Sequence, residues 1–354
     1  MKSRSYGIDL LKSISMLMVV VLHTLGVGGI LNGSAAGSAA NTSAWILETA
    51  CMCAVNCFGL VSGYVLCKGH YRRSRLLSLW LRVVFESLII TAVFAAFKAG
   101  SVGTKEWIRV FTPVIRNVYW YFTAYFALFF FVPYINKMLE VLSAKEKISL
   151  SVSIVVVFVL FGNILNNDIF FLHGGYGFLW LLCLYILGAC MRDIEIKPNI
   201  NKYWFLLAYF LCALLSWAIM KLTDVQALIS YTSPFILLSA ALLLLFFERL
   251  EFKSPKSQKF ISMLARTSFG VYIIHTNPLI WIYLITDRFT PFLELSWPVM
   301  LVAVILTAAA IYSVCTFGDW LAEKFFKLVH IERLEKAVDG IGKNRRKLQN
   351  TIQK

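Results

Sequence analysis

The sequence predicts an all-α, polytopic membrane protein of about ten transmembrane helices with both termini cytoplasmic. Four observations carry this reading. Apolar residues make up 59% of the 354 positions and charged residues only 15%, against about 25% charged in an average soluble domain. Mean hydropathy is +0.73. Apolar runs near the roughly 20 residues needed to cross a bilayer recur along the chain. Between them the basic residues alternate between dense and sparse clusters, as cytoplasmic and outer loops do. Disorder and small disulfide scaffolds are excluded by the same composition.

The candidate spans are residues 8–28, 45–67, 77–97, 117–135, 148–165, 176–191, 203–220, 231–248, 267–286 and 297–317. The fifth, sixth and seventh are the shortest. The runs are too long for strands and lack period-two alternation. With the N-terminus inside, 26 of the 34 Lys and Arg residues fall in inner segments and six in outer loops. Lys12 and Arg82 lie within spans. Net charge is +15, but it is distributed as a membrane topology signal rather than as a basic-aromatic nucleic-acid module, so no nucleic-acid partner is expected.

Residues 1–318 are expected to form one integral membrane domain. Residues 319–354 form a cytoplasmic, amphipathic and basic tail (DWLAEKFFKLVHIERLEKAV, then KNRRK) that anchors on the inner surface. The first span is followed by the small-residue stretch GSAAGSAA, as after a signal peptide. Asp9 and Lys12 inside the run argue against a cleaved signal. Residues 32–43 read as a flexible outer loop. No internal repeat supports an inverted-repeat transporter. The eight Cys sit mostly within spans without zinc-site spacing, so small buried thiols are expected and no metal.

Ionisable groups inside a membrane are costly and mark function by default. The first span carries Asp9, Lys12 and His23. Eleven helical residues turn through about 1100°, so Lys12 and His23 share a face, about 16 Å apart along the axis. Asp9 and Lys12, three apart, are placed to pair. His23 reads either as a functional imidazole or as a packing contact between helices. The second span ends FGLVSGYVLC, where Ser62 and Gly63 allow close helix approach. Lys68, Arg72, Arg73 and Arg75 follow, either as inner-face charge or as forks for a phosphorylated ligand. Arg82 and Glu86 read as a helix-locking pair. Trp120 opens an aromatic run that is either an interfacial belt or a sugar-stacking wall. Tyr272 and His275 lie on the ninth span, before Asn277 and Pro278. His70, His173 and His330 are assigned no role.

Taken together, these segments resemble the acyltransferase 3 family of integral membrane O-acyltransferases over most of the chain. The family's first helix carries Arg, ten residues, then His; here Lys12 and His23 stand at that spacing. FGLVSGY, with Ser62 and Gly63, is similar to its second-helix signature, and HYRRSR to the basic loop after it. WYFTAYFALFFFVP, GGYGFLWLLCLYILGACM and SFGVYIIH resemble later motifs in the same order. Two positions depart. Lys12 keeps the charge of the usual Arg but not its bidentate geometry, and Tyr119 precedes Trp120 where many relatives have His. A clear acidic motif in the fourth span is also missing.

The resemblance implies transfer of a small acyl group, acetyl in the first instance, from cytoplasmic acyl-CoA (acetyl-CoA) as co-substrate, with no tightly bound cofactor. The acceptor it implies is a hydroxyl of a cell-envelope or surface glycan, and the location a bacterial plasma membrane. His23 is then the general base, with Asp9 and Lys12 completing the catalytic group. Arg72, Arg73, Arg75 and Ser62 bind the donor. Trp120, Tyr272 and His275 orient the acceptor or stabilise the oxyanion. Two other readings use the same residues: a proton-coupled transporter, and a non-catalytic glycan- or amino-acid-translocating module. The latter is similar to the membrane half of some vancomycin-resistance serine racemases, without a racemase domain in this sequence.

Overall fold

Helix-starting signals are written into the sequence and are used. Ser5 caps α1 (Tyr6–Leu25), accepting from the Ile8 N–H at 3.4 Å. Ser38 caps α2 (Ala39–Cys51) through the Asn41 N–H at 3.1 Å. Such caps satisfy N–H groups that a helix start leaves unpaired. The Ser38 cap shortens the loop expected over 32–43. Ala39 and Ala40 are already helical, and a short turn, Ile30–Gly33, lies before them. The second expected span is therefore two helices, α2 and α3 (Ala54–Leu66), broken at residues 52–53.

The remaining helices are α4 (Ser74–Phe97), α5 (Thr104–Phe111), α6 (Trp120–Val141), α7 (Ala144–Ile154), α8 (Phe178–Asp193), α9 (Lys202–Thr223), α10 (Pro234–Glu248), α11 (Pro255–His275) and α12 (Trp297–Leu328). Pro stands in the first turn of α10, α11 and α12, where its missing N–H costs nothing. The computed structural model describes residues 4–69, 71–162, 168–194, 200–223, 229–331, 333 and 336–340. His70 and the basic end KNRRK lie outside the described residues. All regular elements among those residues are helical.

Six helical segments are long and apolar enough to cross a membrane, or seven if α11 and residues 278–294, bent by 60° at the break after His275, count as one. The expected segments 148–165, 176–191 and 231–248 fall on shorter helices: α7 of 11 residues with a π-helical turn after it, α8 of 16 and α10 of 15. At 1.5 Å per residue, α8 is about 24 Å long, under the ~30 Å hydrocarbon thickness. The helix of the last span does not end near 317: α12 continues to Leu328, so the first residues of the expected tail are helical. Large apolar side chains such as Phe97, Phe131, Leu306 and Val314 face outward, as lipid solvent requires. The chain is a multi-pass membrane protein.

Helix α1 is central and packs against α2, α3, α10, α11 and α12. The tightest pairing is between α3 and α8. A Cβ on Gly63 would land on the Tyr185 carbonyl, and one on Gly188 on the Leu60 carbonyl. Two glycines therefore bring the backbones into contact, as small residues do between membrane helices. At one end of this pair Lys68 Nζ meets Asp193 at 3.0 Å. At the other, buried Asn56 donates to the Tyr231 carbonyl at 2.7 Å and accepts from Trp180 Nε1 at 3.0 Å.

Candidate active site

A cavity of about 420 Å³ runs between α1, α3, α4, α6, α11 and the turn before α10, within the usual size of small-molecule sites. Its two ends differ in chemistry. Arg4, Lys12, Arg75, Arg82 and Arg266 line one end together with Asp9. His23, Trp120, Tyr121, Tyr231 and Tyr272 line the other. Lys12 and His23 are both on the cavity wall, as their eleven-residue spacing requires.

At the cationic end, Asp9 is held by Arg4 Nε at 2.6 Å and Lys12 Nζ at 3.4 Å. It is a bridge between two cations rather than a free carboxylate. Arg82 donates to Glu86 at 3.3 Å and to Asp319 of α12. The Arg82–Glu86 pair expected from the sequence is thus a cluster of three that joins α4 to α12. Asp319 fits because Gly270 of α11 has no Cβ: a Cβ there would fall on the Asp319 carboxylate. Arg266 meets Glu323 at 3.4 Å. No ion pair is seen for Arg75 among the described residues.

The basic segment does not act as a block. Arg75 lines the cavity. Arg72 instead donates from Nε to Asp339 at 3.1 Å, and that carboxylate also accepts from the Ser74 N–H at 3.1 Å and Ser74 Oγ at 2.8 Å. Arg73 is exposed and lies off the cavity wall. Ser62 does line the cavity, with its hydroxyl donating to the Phe58 carbonyl at 2.8 Å.

At the other end, His23 Nδ1 and His275 Nε2 lie 3.0 Å apart, and His275 Nδ1 lies 2.5 Å from the Val271 carbonyl. A carbonyl only accepts, so with both rings neutral the proton positions follow. His275 carries its proton on Nδ1 and accepts at Nε2. His23 therefore carries its proton on Nδ1 and donates it to His275. The lone pair of His23 is left on Nε2, which makes no hydrogen bond among the described residues. His275 is fully buried and does not line the cavity. Its position is behind His23, off the cavity wall. The Trp281 ring packs edge-on to His23 with centroids 4.6 Å apart.

The helix break after His275 is itself supported. Asn277 accepts from the Leu279 N–H at 3.0 Å and donates to Tyr119 Oη at 2.9 Å, and Tyr119 contacts Ser87 Oγ at 2.9 Å. Tyr272 lines the cavity, and its hydroxyl accepts from the Tyr121 N–H at 3.3 Å. Trp120 lines it beside Tyr231. Arg4, Arg266, Tyr231 and Asp319 were not singled out from the sequence. Arg4 and Asp319 sit in segments that read as terminal charge, and Tyr231 in a turn without pattern. Among the described residues, no three His, Cys, Asp or Glu side chains come together as metal ligands.

The fold and cavity define a multi-pass membrane protein with a histidine, backed by a second buried one, at one end of a chamber and a cationic mouth at the other. The family model for the acyltransferase domain of the acyltransferase 3 family matches residues 5–317, and the chain belongs to that family, one of membrane acyltransferases. No curated protein matches the chain, and no solved structure does.

Proposed function

We propose that this protein transfers a small acyl group, acetyl in the first instance, from acyl-CoA on the cytoplasmic side to a hydroxyl of a cell-envelope glycan. His23 is the general base. The observation that carries the reading is His23, on the same cavity as the five cations and 3.0 Å from His275 behind it. His23 Nε2 takes the acceptor hydroxyl proton as the oxygen attacks the thioester carbonyl. The tetrahedral intermediate expels the CoA thiolate, and His23 returns the proton to that sulfur. The base is regenerated and the ester formed.

Arg75 and Lys12 supply charge for the donor's phosphates, while Asp9 fixes Lys12 and Arg4. The pantetheine arm extends along α1 toward His23 past Ser62. Tyr272 hydrogen-bonds the developing oxyanion through its hydroxyl proton; the reading is supported by that hydroxyl accepting, not donating, in its contact with Tyr121. In the topology that goes with this, the chain crosses a bacterial plasma membrane about ten times, the short helices α7, α8 and α10 included, with both termini cytoplasmic.

The test uses purified protein in nanodiscs with radiolabelled acetyl-CoA and a bacterial envelope-glycan extract. Label transfer and CoA release are expected for wild type. Loss of about 10²–10⁴-fold is expected for His23→Ala with donor binding retained. Full transfer by His23→Ala overturns the base assignment. Absence of donor binding, with solute accumulation in proteoliposomes, favours a proton-coupled carrier instead.

A further inference from the structure

The end of the cavity away from the cations carries aromatic rings from the start of α6 and from two loops. Helix α8 sets the distance between the ends. Its last residue, Asp193, meets Lys68 beside the basic segment at 3.0 Å, and its 16 residues carry the chain about 24 Å to the opposite end. Tyr176 lies just before that far end. Its ring centroid is 4.8 Å from Trp120 and 4.8 Å from Tyr231, and Trp120 and Tyr231 are near-parallel at 6.1 Å and 21°. Trp120 and Tyr231 line the cavity; Tyr176 does not, and is 50% exposed. The Tyr176 ring therefore stands between the chamber and the surface.

The frame around this ring is fixed. Asn56 ties the Tyr231 carbonyl to Trp180, and the Tyr231 N–H donates to the Gly174 carbonyl at 3.1 Å. Gly175, at φ +98°, has no room for a Cβ beside Trp180. By contrast, a Cβ at Gly177 would meet open space. Tyr176 is the exposed member of the trio, its N–H donating to the His173 carbonyl at 3.1 Å, and Gly177 after it caps α8 by accepting from the Leu181 N–H at 3.2 Å. The trio carries no charged side chain, and aromatic faces of this kind stack on the C–H face of a sugar ring while leaving its hydroxyls free.

We propose that Tyr176 marks an acceptor port and, with Trp120 and Tyr231, forms the stacking surface for a carbohydrate ring that approaches from the membrane face opposite the cationic mouth. Donor and acceptor then meet at His23 from opposite ends of one cavity. This rests on the acyl-transfer reading above.

Two measurements test it, one of them independent of activity. Tyr176→Ala is expected to raise the apparent KM for the envelope-glycan extract about tenfold with the acetyl-CoA KM unchanged. Tyr176→Phe, which keeps the ring, should stay near wild type. A Tyr176→Ala acceptor KM within twofold of wild type overturns the port. Separately, in intact cells a membrane-impermeant maleimide should label Tyr176→Cys, whereas Arg73→Cys should react only after permeabilisation. Labelling of both from the same face overturns the two-ended arrangement whether or not transfer is observed. A wild type with no His23-dependent CoA release, but with the two cysteines on opposite faces, refutes the acyl-transfer reading and leaves the port's position standing.

Discussion

His275 is expected to control the rate without touching either substrate. Its Nε2 accepts from His23 Nδ1 at 3.0 Å, and its own proton is held by the Val271 carbonyl at 2.5 Å. When His23 takes the acceptor's proton it becomes an imidazolium, and the bond to His275 becomes charge-assisted. Bonds of that kind contribute about 1.5–3 kcal/mol, which corresponds to about 10–150-fold in rate. His275→Leu removes this bond and frees His23 to adopt the wrong tautomer, so kcat should fall within that range. KM for the donor should not move, because His275 is off the cavity wall. His275→Gln places an amide oxygen near the position of Nε2 and should recover most of the loss. The assay is initial-rate acetyl transfer in nanodiscs, with thermal unfolding of each variant as a control for folding. A His275→Leu protein of native stability with wild-type kcat would refute the tautomer argument, as would a change confined to KM.

The other expectations concern the cationic end and the frame. Arg75→Gln should raise the acetyl-CoA KM about fivefold with kcat unchanged, the scale of a single exposed charge contact, while Arg73→Gln should leave both constants alone; donor titrations separate the two. Asp319→Ala leaves Arg82 paired with Glu86 alone and removes one charge-assisted hydrogen bond, which should cost about 1.5–3 kcal/mol, read as a lowered unfolding midpoint in detergent. Gly63→Ala puts a methyl group against the Tyr185 carbonyl of α8 and should destabilise by about 1–3 kcal/mol in the same measurement.

What the sequence makes legible is what depends on local period. The Lys12–His23 spacing follows from 3.6 residues per turn, and both side chains reach one cavity. Ser62, Arg75, Trp120 and Tyr272 also line it, each at the end of an apolar run where a polar or aromatic group is conspicuous. His275 is conspicuous for the same reason, but its role is not legible. Its partner lies 252 residues away, and only packing of α1 against α11 decides that it meets His23 rather than substrate. Asp319 and Asp339 are hidden differently. Both sit among alternating charges that read as a surface-seeking tail, yet one is buried against Gly270 and the other holds Arg72 away from the cavity. The short helices α7, α8 and α10 illustrate a further limit. Hydropathy detects their apolar character, but their lengths are set by loops such as the Asn56-clamped turn, which have no periodic signature.

The distance along α1 also reconciles two demands that conflict at short range. Binding a polyphosphate favours a cluster of cations, whereas moving a proton onto His23 creates another positive charge. Two unit charges 4 Å apart interact by about 4 kcal/mol at an effective dielectric of 20, and by about 1 kcal/mol at 16 Å. Had Lys12 stood one helical turn from His23, it would have penalised the imidazolium by several times the amount it does at eleven residues. Four of the five mouth cations are further offset locally, by Asp9 on Arg4 and Lys12, Asp319 on Arg82 and Glu323 on Arg266, so less of their field reaches the histidine pair. Arg75, the mouth cation without an ion pair among the described residues, lies at the opposite end from His23, where a phosphate can neutralise it before the proton moves. Under the proposed mechanism, the ten residues between Lys12 and His23 serve as electrostatic insulation as well as the span for the donor's arm.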